Sequence, residues 1–126
     1  MEHYYRPKTK RQYMGLLGED EAVKLLEGLN YKILRRNYAV HNIGEIDIIA
    51  EKDGDIHICE VRARLNTGDF PDSAESVTSK KRNRILRTAE YYIAEENLYD
   101  RYMVFEVIKV THDKQGNVLS VQIVPF

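Results

Sequence analysis

Two apolar stretches, Glu45-Ile-Asp-Ile-Ile-Ala50 and Ile56-His-Ile-Cys-Glu-Val-Arg62, flank the dipeptide Asp53-Gly54. Asp-Gly between two runs of this kind is a strong short-range signal for a tight antiparallel hairpin. The second stretch is apolar on both faces until Glu60, so it reads as an interior strand covered on both sides. These same strands carry Asp47, Glu60 and Arg62. A charge inside an apolar strand is costly unless it is paired or bound to a metal. Residues two apart on a strand share a face, so Glu60 and Arg62 point the same way, and the hairpin brings Asp47 towards Glu60. Two converging carboxylates repel, and a hard divalent cation such as Mg²⁺ (or Mn²⁺) relieves that repulsion. The rival is an ion pair with arginine at a strand end. Strand parity alone leaves the two readings level.

The remaining elements follow from periodicity. From about Arg11 to Leu29, Leu16, Ala22, Val23, Leu26 and Leu29 recur at helical spacing, with Gly28 and Asn30 as a stop signal. Tyr31 to Tyr38 reads as a strand, and Asn42 and Gly44 bound a turn. Residues 65–77 read as a loop. Thr78 or Ser79 caps a second helix that runs to about Glu96. Tyr102 to Val110 and Val118 to Val124 form a second hairpin around Asp113-Lys-Gln-Gly-Asn117. The order αβββαββ predicts an α/β fold, a mixed β-sheet flanked by helices. The chain has 126 residues and no internal repeat or Pro/Gly linker. That predicts a single domain over 11–126 behind a flexible, tyrosine-rich arm at 1–10.

Net charge is −1, so the chain is not a polycation. The distribution carries more information. Lys80, Lys81, Arg82, Arg84 and Arg87 crowd into 76–88. Lys80, Arg84 and Arg87 fall at i, i+4 and i+7 and form an exposed basic stripe. Lys81 lies at the border with the apolar side and within reach of the carboxylates. Phosphates are the natural partners of such a stripe; the rival is a solvated helix face. No apolar run approaches the roughly 20 residues that span a bilayer, so no membrane partner is expected. One cysteine, Cys59, allows no intrachain disulfide and fits a reducing cytoplasm. It reads as a core residue. His3, His41, His57 and His112 lack metal-ligand spacing. Tyr4 and Tyr5 are candidates for base stacking.

Glu19 is a third carboxylate of interest. It lies three residues after Leu16 and four before Val23, on the stripe that faces the sheet. The alternative is an acidic turn, Glu19-Asp-Glu21, favoured by a helix dipole after Gly18.

In order, Gly15-x-x-Gly18-Glu19-x-x-Ala22, Asn37, Gly44-Glu45-Ile46-Asp47-Ile48-Ile49-Ala50, Glu60-Val61-Arg62-x-Arg64, Val77-Thr78 and Lys81 run over residues 11–105. This set resembles the YraN family of uncharacterised bacterial proteins. The resemblance implies a small restriction-endonuclease-like fold, similar to archaeal Holliday junction resolvases. It also implies a Mg²⁺- or Mn²⁺-dependent nuclease core in which Glu19, Asp47 and Glu60 are the acidic metal-site positions. The family usually reads Glu-Val-Lys, and Arg62 stands in the lysine's place. Arginine stays protonated, so it cannot act as a general base, but it can hold a scissile phosphate and stabilise developing charge.

The expectation is therefore an endonuclease-like protein acting on DNA. Asp47, Glu60 and Glu19 would hold the metal, and Arg62 would contact the phosphate with Lys81 in support. Lys80, Arg84 and Arg87 would bind the backbone. The alternatives are a nucleic-acid-binding module with a degenerate site and an interaction protein whose acids form an ion-pair network. A resolvase-like role requires a homodimer.

Overall fold

The computed structural model describes residues 9–66 and 77–126; side chains of residues 10–14 are not described. The expected arm, apart from Thr9 and Lys10, and most of the expected loop at 65–77 lie outside the described residues, as do Tyr4, Tyr5 and His3. Among the described residues, two helices and five strands follow in the order α1 (Lys10–Gly28), β1 (Lys32–Val40), β2 (Gly44–Lys52), β3 (Asp55–Leu65), α2 (Ser79–Glu96), β4 (Met103–His112) and β5 (Val118–Pro125). The expected order αβββαββ is the observed one. The strands lie in the sheet in sequence order. Among the described residues, only β3 and β4 run parallel, and the other neighbouring pairs are antiparallel.

Local chemistry accounts for the turns. Asp53 and Gly54 both have positive φ, 52° and 85°, as the tight two-residue turn between Lys52 and Asp55 requires. Asn30 takes the left-handed conformation just after α1, the position where a helix commonly reverses. Thr78, one of the two expected caps, accepts the Lys81 amide at the start of α2. Asn97 closes that helix in the left-handed region.

Alternation along β2 and β3 builds two cores. Ile49, Ile56 and Ile58 pack with Ile85, Ala89 and Tyr92 of α2 on one face. Ile48, Ala50 and Cys59 pack with Ala22 and Leu26 of α1 on the other. β3 is thus buried on both faces, as its apolar run requires. Leu29 departs from expectation. It is 42% exposed, because α1 ends at Gly28 and the chain turns out of the helical stripe there.

The α2 layer sits unusually close to the sheet at Gly44. A Cβ on that residue would lie 2.8 Å from Thr88 Oγ1 and 3.3 Å from the Arg84 carbonyl oxygen. Thr88 is fully buried, and its hydroxyl is held by donating to that carbonyl at 2.7 Å, so the neighbour has little room to give. Gly44→Ala is expected to destabilise the protein by about 1–3 kcal/mol through overpacking. The cost should shrink in a Thr88→Ala background, and urea unfolding of the single and double variants measures both values.

Candidate functional site

The paired register of β2 and β3 ends at Ile48 opposite Cys59. One step further, Asp47 and Glu60 face each other where no backbone pairing remains. β2 continues beside β1 as far as Gly44, while β3 continues beside β4 as far as Leu65. The two strands therefore fork, and the carboxylates stand in the fork. The Asp47 side chain replaces part of the lost ladder, its Oδ2 accepting the Val61 amide at 2.8 Å.

A roll of the outer strands accompanies the fork. Ile48 faces α1, yet Ile46, two residues earlier, packs in the α2 core. Opposite this point β1 carries Asn37 at φ 53°, between the Arg36–Ile48 and Tyr38–Ile46 pairs. Asn tolerates the left-handed region far better than a β-branched residue does. Arg36 turns to Glu19 and Asp20 of α1, while Tyr38 turns to Tyr92 of α2.

Asp47 and Glu60 form the acidic floor of an open cleft of about 500 Å³, walled by Lys80, Lys81, Arg84 and Ile85 of α2 and bordered by Glu45. Glu60 is buried, and its Oε1 pairs with the Lys81 ammonium. Asp47 has no such cation among the described residues. Burial first, and then the neighbouring Glu60 charge, push its carboxyl up to about 8; the Val61 amide opposes the rise and Glu19 adds to it.

Glu19 adjoins this centre from a neighbouring cavity of about 410 Å³ that it lines with Leu16, Asn37 and Glu45. It lies mid-helix in α1, not near a helix start, so the dipole does not explain it. Burial raises its pKa, while Arg36 and a bond with Asn37 oppose the shift. Glu19 Oε1 is buried without a hydrogen bond among the described residues, with Arg36 Nη2 at 3.7 Å.

Among the described residues, no three His, Cys, Asp or Glu side chains form a ready-made metal cage. Two converging carboxylates and an adjacent third with a buried, unsatisfied oxygen are nevertheless hard oxygen donors of the kind that fits a divalent cation. Arg62 follows Glu60 on the same side of β3 and is half-buried, with a buried Nε that makes no hydrogen bond to the described residues. It stands outside the described lining of the cleft, as does Arg87, which is exposed further along α2. His57 pairs with Glu106, away from the cleft, and Cys59 is buried in the α1 core.

Asn37 and Glu45 were not singled out for a role by strand parity. Both carried a signal: Asn is depleted in strand interiors, and Glu45 stands two residues from Asp47 on the same strand.

Among the described residues, a five-stranded mixed sheet with helices on both faces, in the order αβββαββ, is consistent with a restriction-endonuclease-like fold. The model of Uncharacterised protein family UPF0102 matches residues 18–110. A UPF0102 protein of Clostridium perfringens (strain 13) is 41% identical over 103 residues, covering 82% of this chain and 83% of that protein. One from Sulfurihydrogenibium sp. (strain YO3AOP1) is 44% identical over 94 residues, covering 75% and 80%. A third, from Moorella thermoacetica, is 39% identical over 114 residues, covering 90% and 93%. The chain belongs to UPF0102, the YraN family.

The raised Asp47 pKa has a consequence for stability. The folded state keeps that proton up to about pH 8, whereas the unfolded chain releases it near 3.8. The folded state is the better proton binder between these values, so stability falls as pH rises through the window. In the presence of a chelator, wild-type protein should lose stability from about pH 4 to 8 more steeply than Asp47→Asn. The difference should reach the order of a few kcal/mol at the alkaline end. Urea-unfolding midpoints of both proteins across that range measure it; parallel profiles would contradict the assignment.

Proposed function

We propose that this protein is a metal-dependent endonuclease-like protein that binds DNA and hydrolyses its phosphodiester backbone. The observation that carries the reading is the Asp47–Glu60 pair on the floor of a cleft whose α2 wall is basic. Acid below and cations beside it suit a site that holds a divalent cation and a phosphate together.

Asp47 and Glu60 are the residues that would hold Mg²⁺ or Mn²⁺, with Glu19 adjoining directly or through water. Bound there, the cation would supply a more acidic water as nucleophile and offset charge on the phosphate oxygens. Lys81 has a second part in this reading. Its ammonium neutralises Glu60 in the free protein and is the protein cation nearest the acidic floor, where a phosphate would lie. With Glu60 engaged by a cation, the Lys81 ammonium would be free to contact a phosphate. Arg62 cannot take a proton from water, so its part is to stabilise negative charge beside Glu60. Lys80 and Arg84 hold the flanking phosphates, and Arg87 extends that contact along the helix.

A second reading, a DNA-binding module without cleavage, rests on Arg62 in the position where the family usually carries lysine. Cleavage of linear and branched DNA with Mg²⁺ or Mn²⁺ separates the two, and calorimetric titration of Mn²⁺ tests what they share. Asp47→Asn is expected to abolish Mn²⁺ binding and to lower any cleavage by about 10²-fold or more, given the several kcal/mol such a cation contributes. Arg62→Lys is expected to raise cleavage. Cleavage that survives Asp47→Asn would rule out this site.

The stripe makes an independent prediction. Changing Lys80, Arg84 and Arg87 to Glu should weaken DNA binding and flatten its dependence on log salt by a slope of about 3, close to one unit per lost phosphate contact. Filter binding over a salt series reads both quantities.

A further inference from the structure

The outward side of α2 carries an exposed aromatic residue that neither the core nor the cleft uses. Ile85, Thr88, Ala89, Tyr92 and Ile93 form the buried face of the helix. Tyr92 is spent on packing, edge to face with Tyr38 at 5.2 Å between ring centroids. Its neighbour Tyr91 lies about 100° round the helix and is 47% exposed. At 100° per residue, implied by 3.6 residues per turn, Lys80, Arg84, Arg87 and Tyr91 fall within a band about 60° wide. The aromatic ring therefore continues the basic stripe rather than lying beside it.

The neighbouring charges support this continuity. Residues 76 to 88 hold no acid. Glu90 lies about 100° of helical turn from Tyr91. Glu95, the acid that most nearly follows the stripe, faces the Tyr38 hydroxyl of β1. Arg82 lies on the far side of the helix, about 170° round from the stripe, and donates to the Phe126 carbonyl oxygen. What remains is a row of three cations ending in an open aromatic ring. From Lys80 to Tyr91 the row is about 16 Å long, or about five steps of a stacked strand at roughly 3.4 Å each.

We infer that Tyr91 ends the basic stripe of α2 as a stacking platform for an unpaired base, so that the DNA taken by this surface carries a single-stranded segment. The inference rests on the proposed DNA-binding reading and narrows it. Cations alone follow the backbone of any duplex, because phosphates are common to all of them. A ring at the end of the row adds something a duplex cannot use, since its bases are already stacked on one another. A splayed or single strand offers a free base face, and stacking on an aromatic side chain accepts any base. Lys80 and Arg84 border the cleft, so the single-stranded segment would run from the acidic floor outwards along the helix. A junction, flap or tail meets that geometry, and a blunt duplex does not.

The test compares a single-stranded oligonucleotide, a blunt duplex and the same duplex with a single-stranded tail, by fluorescence anisotropy at one salt concentration. Tyr91→Ala should weaken binding to the single strand and the tailed duplex by about tenfold and leave the blunt duplex unchanged. Tyr91→Phe should keep wild-type affinity on all three. A 2-aminopurine in the tail should be quenched by wild type and Tyr91→Phe but not by Tyr91→Ala. Equal losses on all three DNAs, or no loss on the tailed one, would overturn the platform. The triple change of Lys80, Arg84 and Arg87 to Glu tells the two failures apart. If it weakens every DNA while Tyr91→Ala is silent, the platform alone is wrong. If it changes nothing, the DNA-binding reading falls and takes the platform with it.

Discussion

Asp47 and Glu60 repel each other, and much of the surrounding structure holds them together against that repulsion. Neither carboxylate would choose its place. One is buried beside the other where two strands have stopped pairing. Three compensations make the arrangement tolerable. A backbone amide freed by the fork turns to Asp47, an ammonium from α2 covers Glu60, and Asp47 retains its proton well above the usual carboxylate range. Each is partial, and each offsets negative charge that a bound cation would also offset. A site whose charges are only provisionally balanced is poised to exchange its partners.

α2 links the packing of the fold to the chemistry of the cleft. Its buried face is ordinary core, while its border residues supply the cations. Position along the helix axis is set where Gly44 lets Thr88 and Arg84 approach the sheet. Lys81 and Arg84 reach the cleft because the helix cannot ride further from the strands without opening that contact. The absence of one side chain at Gly44 therefore controls where two charged ones arrive.

Most of the fold could be read from the chain because its signals were local. Asp53-Gly54 specified the hairpin, Thr78 the helix start, and alternating isoleucines the two faces of the sheet. Asp47 opposite Glu60 followed from parity plus the turn, and Lys81 near Glu60 followed from helical spacing. The details that escaped are tertiary. The roll at Asn37 and Asp47 breaks the parity on which strand reasoning depends, so Glu19 could be placed facing the sheet but not assigned to a neighbouring cavity with Asn37 and an ion pair with Arg36. Arg87 belongs to the stripe by angle but lies too far along the helix to line the cleft. Leu29 looked like part of the α1 stripe, because periodicity does not register that the chain has already turned away.

The topology also separates contacts between sequence neighbours from one that is not local. β1–β2–β3 and β4–β5 are made from neighbours in sequence, so each can form by local closure. The β3–β4 pairing is different: it is the single parallel contact among the described strands, and it must span the whole connection that carries α2. Such non-local closure is entropically late. The first hairpin by itself brings Asp47 opposite Glu60, whereas Lys81 comes from α2. The acidic pair is thus set by a local hairpin, while its protein counter-charge comes from the crossover. The crossover helix is thus the element that ties the charge balance of the hairpin's acidic pair to the closure of the whole sheet.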